Sequence, residues 1–255
     1  MRNRITITGD IGSGKSTVCN ILKDRLNYDL ITGGSVFRKI ADEEGISVLD
    51  VNKKAENNTK IDDKVDCYLK TLNERDFIIV DSRLAWFFIK DSLKIYLYVT
   101  KEEATKRIAK SNRTTEGDIL NHSVLYKNIS KRQDAETERF KRLYGLDIRD
   151  LSNYDLVIDT TKITPYDVVD IIMEYKGGYD VYLNIDNLVP TQRVRELSDN
   201  RINYYKDKIE QGLKIELIDV VYKDGMYYLI DGHHRLVAYN DLGITHLECN
   251  LVEGN

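Results

Sequence analysis

Gly9-Asp10-Ile11-Gly12-Ser13-Gly14-Lys15-Ser16-Thr17 decides the fold of the first two thirds of this chain. The spacing Gly9-x4-Gly14-Lys15-Ser16 is that of a phosphate-binding loop, a pattern specific only between a strand and a helix. Both flanks fit. Before it, Ile5-Thr6-Ile7-Thr8 is β-branched and reads as a buried strand; after it, Val18, Ile21, Leu22 and Leu26 recur at helical spacing. Glycines let the backbone curl around oxygen atoms, so that amide hydrogens converge on a phosphate at a helix N-terminus. Gly9, Gly12, Ser13 and Gly14 form that cradle, Lys15 is placed to bridge β- and γ-phosphates, the Ser16 hydroxyl to ligate magnesium, and Thr17 to touch the α-phosphate. The expected ligands are ATP and Mg2+.

Outward from the loop, further apolar runs occupy residues 76–81, 93–99 and 154–159, separated by charged, helix-compatible stretches. Alternation of this kind predicts an α/β fold, a three-layer parallel sheet covered by helices on both faces. A last helix opens at Thr164-Pro165 with Asp167 in its first turn, and Gly177-Gly178 ends it. Two domains are expected, residues 1–176 and 179–255. The second reads as a small α+β unit: a strand near residues 179–185, a polar helix within 193–212, and a hairpin about Lys223-Asp224-Gly225. At about 75 residues it is near the lower limit for an independent core, so docking on the first domain is expected.

Composition bounds the rest. With 42% apolar and 31% charged residues and a net charge of -4, the chain has the make-up of a globular protein and no global basic excess for nucleic acid. Three separated cysteines, Cys19, Cys67 and Cys249, lack metal-ligand spacing and fit a reducing compartment. No apolar run approaches the roughly 20 residues of a membrane span, and the N-terminus carries no secretory pattern. A cytoplasmic protein is the expectation.

Chemistry beyond the loop needs groups around the transferred phosphoryl. Asp81 ends an apolar strand, where its carboxylate can reach magnesium, contact an acceptor or cap a helix. Arg38, Arg83, Arg107, Arg113, Arg132, Arg139 and Arg142 are the candidate cations against phosphate repulsion. In the second unit, Asp231-Gly232-His233-His234-Arg235 lies between a strand and a helix. It reads either as a second anion site or catalytic centre, or as imidazoles capping that helix. Adjacent histidines point in different directions, which argues against a zinc site made of this pair.

Residues 4 to about 175 resemble the cytidylate kinases of the nucleoside-monophosphate kinase group, particularly the short archaeal type. The phosphate loop, Ile31-Thr32-Gly33-Gly34-Ser35-Val36-Phe37-Arg38, Val80-Asp81-Ser82-Arg83-Leu84-Ala85 and the segment from Glu136 through Arg142 to Ile148 carry the likeness in order. It implies that Arg38 and Arg83 hold the acceptor nucleotide, and that Arg132 and neighbouring arginines such as Arg139 close around the transferred group. Lys15, Asp81 and Arg132 are then the catalytic candidates. Trp86-Phe87-Phe88 stands where the family commonly has a glycine, and bulky rings there are expected to reshape the base pocket.

The C-terminal unit resembles the ParB, sulfiredoxin and free serine kinase superfamily, through Leu188-Val189-Pro190-Thr191-Gln192-Arg193 and the run from Tyr228 through Asp231-Gly232-His233-His234-Arg235 to Ala238. That likeness implies a second nucleotide site at Arg193, Asp231, His233, His234 and Arg235, with Glu196 a weaker candidate base. No cysteine occupies the glycine turn, which disfavours sulfiredoxin chemistry.

The expected activity is ATP-dependent phosphotransfer to a (deoxy)cytidylate-like pyrimidine nucleotide, with a second nucleotide-binding or catalytic unit. Two alternatives stand beside it. One is a kinase for a modified base in DNA or RNA, or for a metabolite such as serine; the other is a non-enzymatic module gated by nucleotide.

Overall fold

The computed structural model describes residues 2–47, 59–112, 122–191 and 196–253. Strand β1 (Arg4–Gly9) alternates strictly: Ile5 and Ile7 face one layer, Thr6 and Thr8 the other, and all four are buried. It lies at the centre of a parallel set in the order β2 (Asp29–Thr32), β3 (Ile78–Asp81), β1, β4 (Leu93–Tyr98), β5 (Leu156–Asp159).

Helices α1 (Lys15–Leu26) and α7 (Pro165–Glu174) cover the Ile5 and Ile7 face, where Val18, Leu22, Val168 and Ile172 close a core with Leu97 and Ile158. On the opposite face, α2 (Gly33–Glu44), α3 (Thr59–Thr71) and the short α4 (Ala85–Phe88) pack over β2 and β3. Helices α5 (Lys101–Asn112) and α6 (His122–Tyr144) follow β4. The parallel sheet with helices on both faces is the architecture expected from the sequence. The α7 cap also forms as read: Thr164 Oγ1 accepts from Asp167 N at 3.3 Å, and the Asp167 carboxylate accepts from Thr164 N at 2.9 Å.

The C-terminal unit does not begin a new sheet. Strand β6 (Val181–Asn184) pairs in parallel with β5, Val157 opposite Val181 and Ile158 opposite Tyr182. From there the sheet runs on through β10 (His246–Leu251), β8 (Ile218–Lys223), β9 (Met226–Asp231) and β7 (Leu188–Val189), ten strands in all among the described residues. Helices α8 (Asp199–Glu210) and α9 (His233–Asp241) pack on each other beside these strands. The β8–β9 hairpin turns through Asp224 and Gly225 at φ 53° and 82°, the left-handed pair that matches strand twist.

One apolar cluster also spans the junction. Trp86, Tyr96, Tyr98, Tyr154 and Val157 pack with Val181, Leu183, Val220, Tyr227 and Leu229. Trp86, expected to reshape a base pocket, is instead a core residue, 4% exposed, against Tyr154. The expected docking is therefore more intimate than two cores meeting at their surfaces. Without β6 to β10, the β5 edge and a face of tyrosines would be open to solvent.

Candidate active site

The phosphate loop leaves β1 at Gly9, and no other residue fits there: a Cβ would stand 2.3 Å from Leu97 O. Gly12 is similarly close to Ala104 of α5, at 3.0 Å. Gly14 differs. It is the N-cap of α1 at φ 85°, its Cβ position opens on free space, and no side chain caps the helix. The first amides of α1 therefore face an open cradle, the arrangement that receives a phosphate. Ser13 Oγ locks the loop from within by donating to Asp10 O at 2.8 Å, while Ser16 and Thr17 are exposed at its mouth.

Lys15 Nζ curls over the loop and donates to Gly9 O at 2.8 Å and Asp10 O at 2.9 Å. Burial, reinforced by the neighbouring Arg83 charge, lowers its pKa to about 8, against the opposing pull of Asp81 and Asp10. Asp81, at the end of β3, is half-buried, and burial raises its pKa while Lys15 and Arg83 hold it down. It caps no helix: α4 starts from Leu84 without a side-chain cap. Among the described residues no cluster of three or more His, Cys, Asp or Glu side chains could cage a metal. Magnesium requires no such cage, because it binds through one or two protein oxygens together with phosphate oxygens and water. Ser16, exposed at the loop mouth, and Asp81, half-buried at the end of β3, are the protein oxygens that such a site would use.

Arg83 joins the loop to the far side of the cleft. Its Nη1 donates to Gly9 O, and its Nη2 lies 3.0 Å from Glu136 Oε2 on α6. Glu136 also pairs with Arg132, whose side chain is 70% exposed. One turn further along α6, Arg139 grips both oxygens of Asp62 on α3, at 2.7 and 2.9 Å. Tyr144 donates to Asp66 at 3.2 Å, one turn along α3. Burial raises the Asp66 pKa. Arg38 is exposed on α2 with its Nη1 over Gly34, 3.7 Å from where a Cβ would stand. Arg107 has a different task, tying α5 to Gly12 O and to Thr160 O, and Arg113 lies outside the described residues.

Three groups escaped sequence reasoning. Glu136 and Asp62 look like ordinary helix-surface acids until their arginine partners are known. Asp10 is the third, and it is buried. Its Oδ1 accepts from Tyr96 Oη at 2.8 Å and Gln133 Nε2 at 3.1 Å, its Oδ2 from Val99 N at 3.2 Å. Burial raises the Asp10 pKa, opposed chiefly by Arg149. Burial works against the charge of Arg149 itself, but Tyr222, Asp10 and Tyr96 outweigh it and hold the guanidinium firmly protonated. Tyr222 lies on β8, so Arg149 stands electrostatically between Asp10 of the phosphate loop and the C-terminal unit.

The glycine turn of that unit repeats part of the pattern. Gly232 is the N-cap of α9 at φ 107° and, like Gly14, has no side chain with which to cap the helix. The imidazoles tie in two flanking segments: His233 Nε2 donates to Thr191 O at 3.3 Å, and Ser198 N donates to His234 Nε2 at 3.1 Å. Arg193 lies outside the described residues, and Glu196 is exposed close by in sequence. Arg235 departs from its expected role as a phosphate ligand. It is buried, donates to Leu217 O at 2.8 Å and pairs with Asp231 and Glu216.

Known proteins align with this division of labour. Residues 4–162 match the cytidylate kinase-like family, and residues 181–254 match the putative ParB-like nuclease family. A cytidylate kinase of Sulfurisphaera tokodaii is 37% identical over 174 residues, covering 67% of this chain and 93% of that protein. An S-adenosylmethionine-dependent nucleotide dehydratase of Lacinutrix mariniflava is 32% identical over 177 residues, 69% of this chain but 36% of that one. Among solved structures, an uncharacterized protein from Eubacterium ventriosum shares the fold at 16% identity and TM-score 0.50, over 68% of this chain and 96% of its own. No helix among the described residues is long and apolar enough to cross a membrane. With the phosphate cradle, the arginine bridge to α6 and these relatives taken together, the chain belongs to the cytidylate kinase-like family and is an ATP-dependent kinase continued at its sheet edge by a ParB-like unit.

Proposed function

We propose that the chain transfers the γ-phosphoryl group of ATP to a (deoxy)cytidylate-like pyrimidine nucleotide. The observation that carries this reading is the position of Arg83, which touches Gly9 of the donor loop and Glu136 of α6 at once and so stands where donor and acceptor phosphates would meet. Lys15 and the α1 amides hold the triphosphate tail; Arg83, Arg38 and Arg139 hold and orient the acceptor phosphate; Arg132 closes from α6. Magnesium, held by Ser16 and Asp81, would neutralise charge on the phosphate oxygens. An amino-bearing pyrimidine is supported by the groups between α3 and α6. The Asp62 and Asp66 carboxylates, which accept from Arg139 and Tyr144, keep further lone pairs for an exocyclic amine.

The ParB-like unit, with its boundary at residues 177–178, is proposed to bind a nucleotide or phosphorylated metabolite at the uncapped start of α9, with His233 and His234 donating and Glu196 nearby. Initial rates with CMP, dCMP, UMP and modified pyrimidine nucleotides test the kinase reading. Faster turnover of the amino-bearing acceptors is expected. Absence of transfer to every small acceptor would defeat it.

A further inference from the structure

Between α6 and the β8–β9 hairpin lies a cleft of about 1280 Å³ that the phosphoryl-transfer reading leaves unused. Carboxylates outnumber cationic side chains nine to three around it. Asp134 and Glu138 on α6, Glu102 on α5 and Asp224 on the hairpin have no ion-pair partner among the described residues. At its base, Gln133 is 7% exposed; its Nε2 is engaged by Asp10, and its Oε1 has no partner among the described residues. A buried carbonyl oxygen without a donor costs free energy that a ligand N–H would recover. Hydrogen-bond acceptors and negative charge thus dominate this cleft. A phosphate-bearing ligand would be repelled.

We infer that the cleft is a binding site for an organic polycation, a linear oligoamine that spans the kinase and the ParB-like unit. The carboxylates are dispersed along the walls, and no three of them gather closely enough for a metal ion. Positive charge must arrive at several separated points. A chain of ammonium groups joined by methylenes does this, and the rings of Tyr98, Tyr126 and Tyr222 offer apolar faces for the methylenes and π-faces for the cations. Gln133 Oε1 receives one ammonium hydrogen. Because Gln133 and Asp10 share a hydrogen bond, the occupant would sit one side chain from the phosphate loop.

The test is calorimetric titration of the full chain with spermidine, putrescine and MgCl2 at 150 mM NaCl. One saturable spermidine site is expected, with putrescine at least tenfold weaker and magnesium unable to displace spermidine at equal ionic strength. D134N/E138Q on one wall and E102Q/D224N on the other should each weaken spermidine by about tenfold or more, with thermal midpoints near the parent's. Either pair suffices if the other fails to fold. Absence of saturable binding, equal affinity in a folded variant, or displacement by magnesium alone would overturn the inference.

Discussion

Two glycine turns in this molecule start a helix in the same way and are finished differently. Gly14 before α1 and Gly232 before α9 both sit in the left-handed region, at φ 85° and 107°, and neither helix start has a side-chain cap. Around Gly14 there is open space, and the next residue is Lys15, with Arg83 and Asp81 within electrostatic reach. Around Gly232 a Cβ would stand 2.9 Å from Ile218, and the cation of the turn, Arg235, points into the protein. An uncapped helix start supplies donors in both places. Cations of both turns donate to backbone carbonyls, so the difference lies in access: Gly14 opens on free space beside a half-buried Lys15, whereas Gly232 is closed in by Ile218 and Arg235 is buried.

Substituting the two cations breaks this comparison most directly. Lys15→Ala should lower phosphotransfer by about 10²- to 10³-fold, the scale of losing one charged donor from a preorganised site, with little change in melting. Equal turnover in the purified variant would remove Lys15 from the mechanism. Arg235→Ala should do the reverse. It deletes a buried guanidinium and a charged hydrogen bond to Leu217 O, a loss of about 2 to 3 kcal/mol, lowering the melting midpoint by roughly 4–12 °C. Kinase rates well below the midpoint should stay near the parent's. An unchanged midpoint together with lost nucleotide affinity would return Arg235 to the role of a ligand.

The same contrast explains what the sequence disclosed. The phosphate loop is local: nine consecutive residues, a β-branched run before and a helical run after, each readable without knowing the rest of the chain. Likewise the strands about Ile79, Ile95 and Val157 announce themselves as apolar runs, and the α7 cap and the Asp224-Gly225 hairpin follow from turn chemistry. Strand β2 was less visible, because only Leu30 and Ile31 of its four residues are apolar. The joining of β5 to β6 was hidden for a different reason. Edge pairing depends on backbone groups that every sequence carries, and the tyrosines that seal the junction look like ordinary strand residues until their partners are known. Arginine roles were least legible. Arg83, Arg107 and Arg235 are equivalent as letters, and only long-range packing decides which carbonyl each one meets.

A pH profile sharpens the first half of the comparison. Lys15 titrates near 8 because burial and Arg83 disfavour its charge, so the free enzyme keeps a full ammonium below that pH and loses it above. Bound phosphate favours the charged form and moves the titration upward. The expected outcome is a kcat/KM for ATP that is flat up to about pH 8 and then falls, by up to tenfold per pH unit, while kcat holds to higher pH. If kcat/KM stayed level to pH 10 while the parent remained folded, Lys15 would not be the titrating group.

The smallest expected effect probes the contact between the two halves. Tyr222 of β8 and Asp10 of the phosphate loop both act electrostatically on Arg149. Tyr222→Phe removes one hydroxyl and leaves the ring packed on Tyr227, at a cost of about 1 kcal/mol. If the loop feels the ParB-like unit through Arg149, ATP affinity should shift by about two- to fivefold, within what that cost permits. Tyr239→Phe is the control: it packs on the same shared core but makes no contact with Arg149, so it should leave ATP affinity alone. Equal shifts in both variants would mean that the loop responds to general loosening of the core. A shift confined to Tyr222→Phe would mark Arg149 as the route by which the second unit acts on the first, since the backbone pairing of β5 with β6 is the same in both variants.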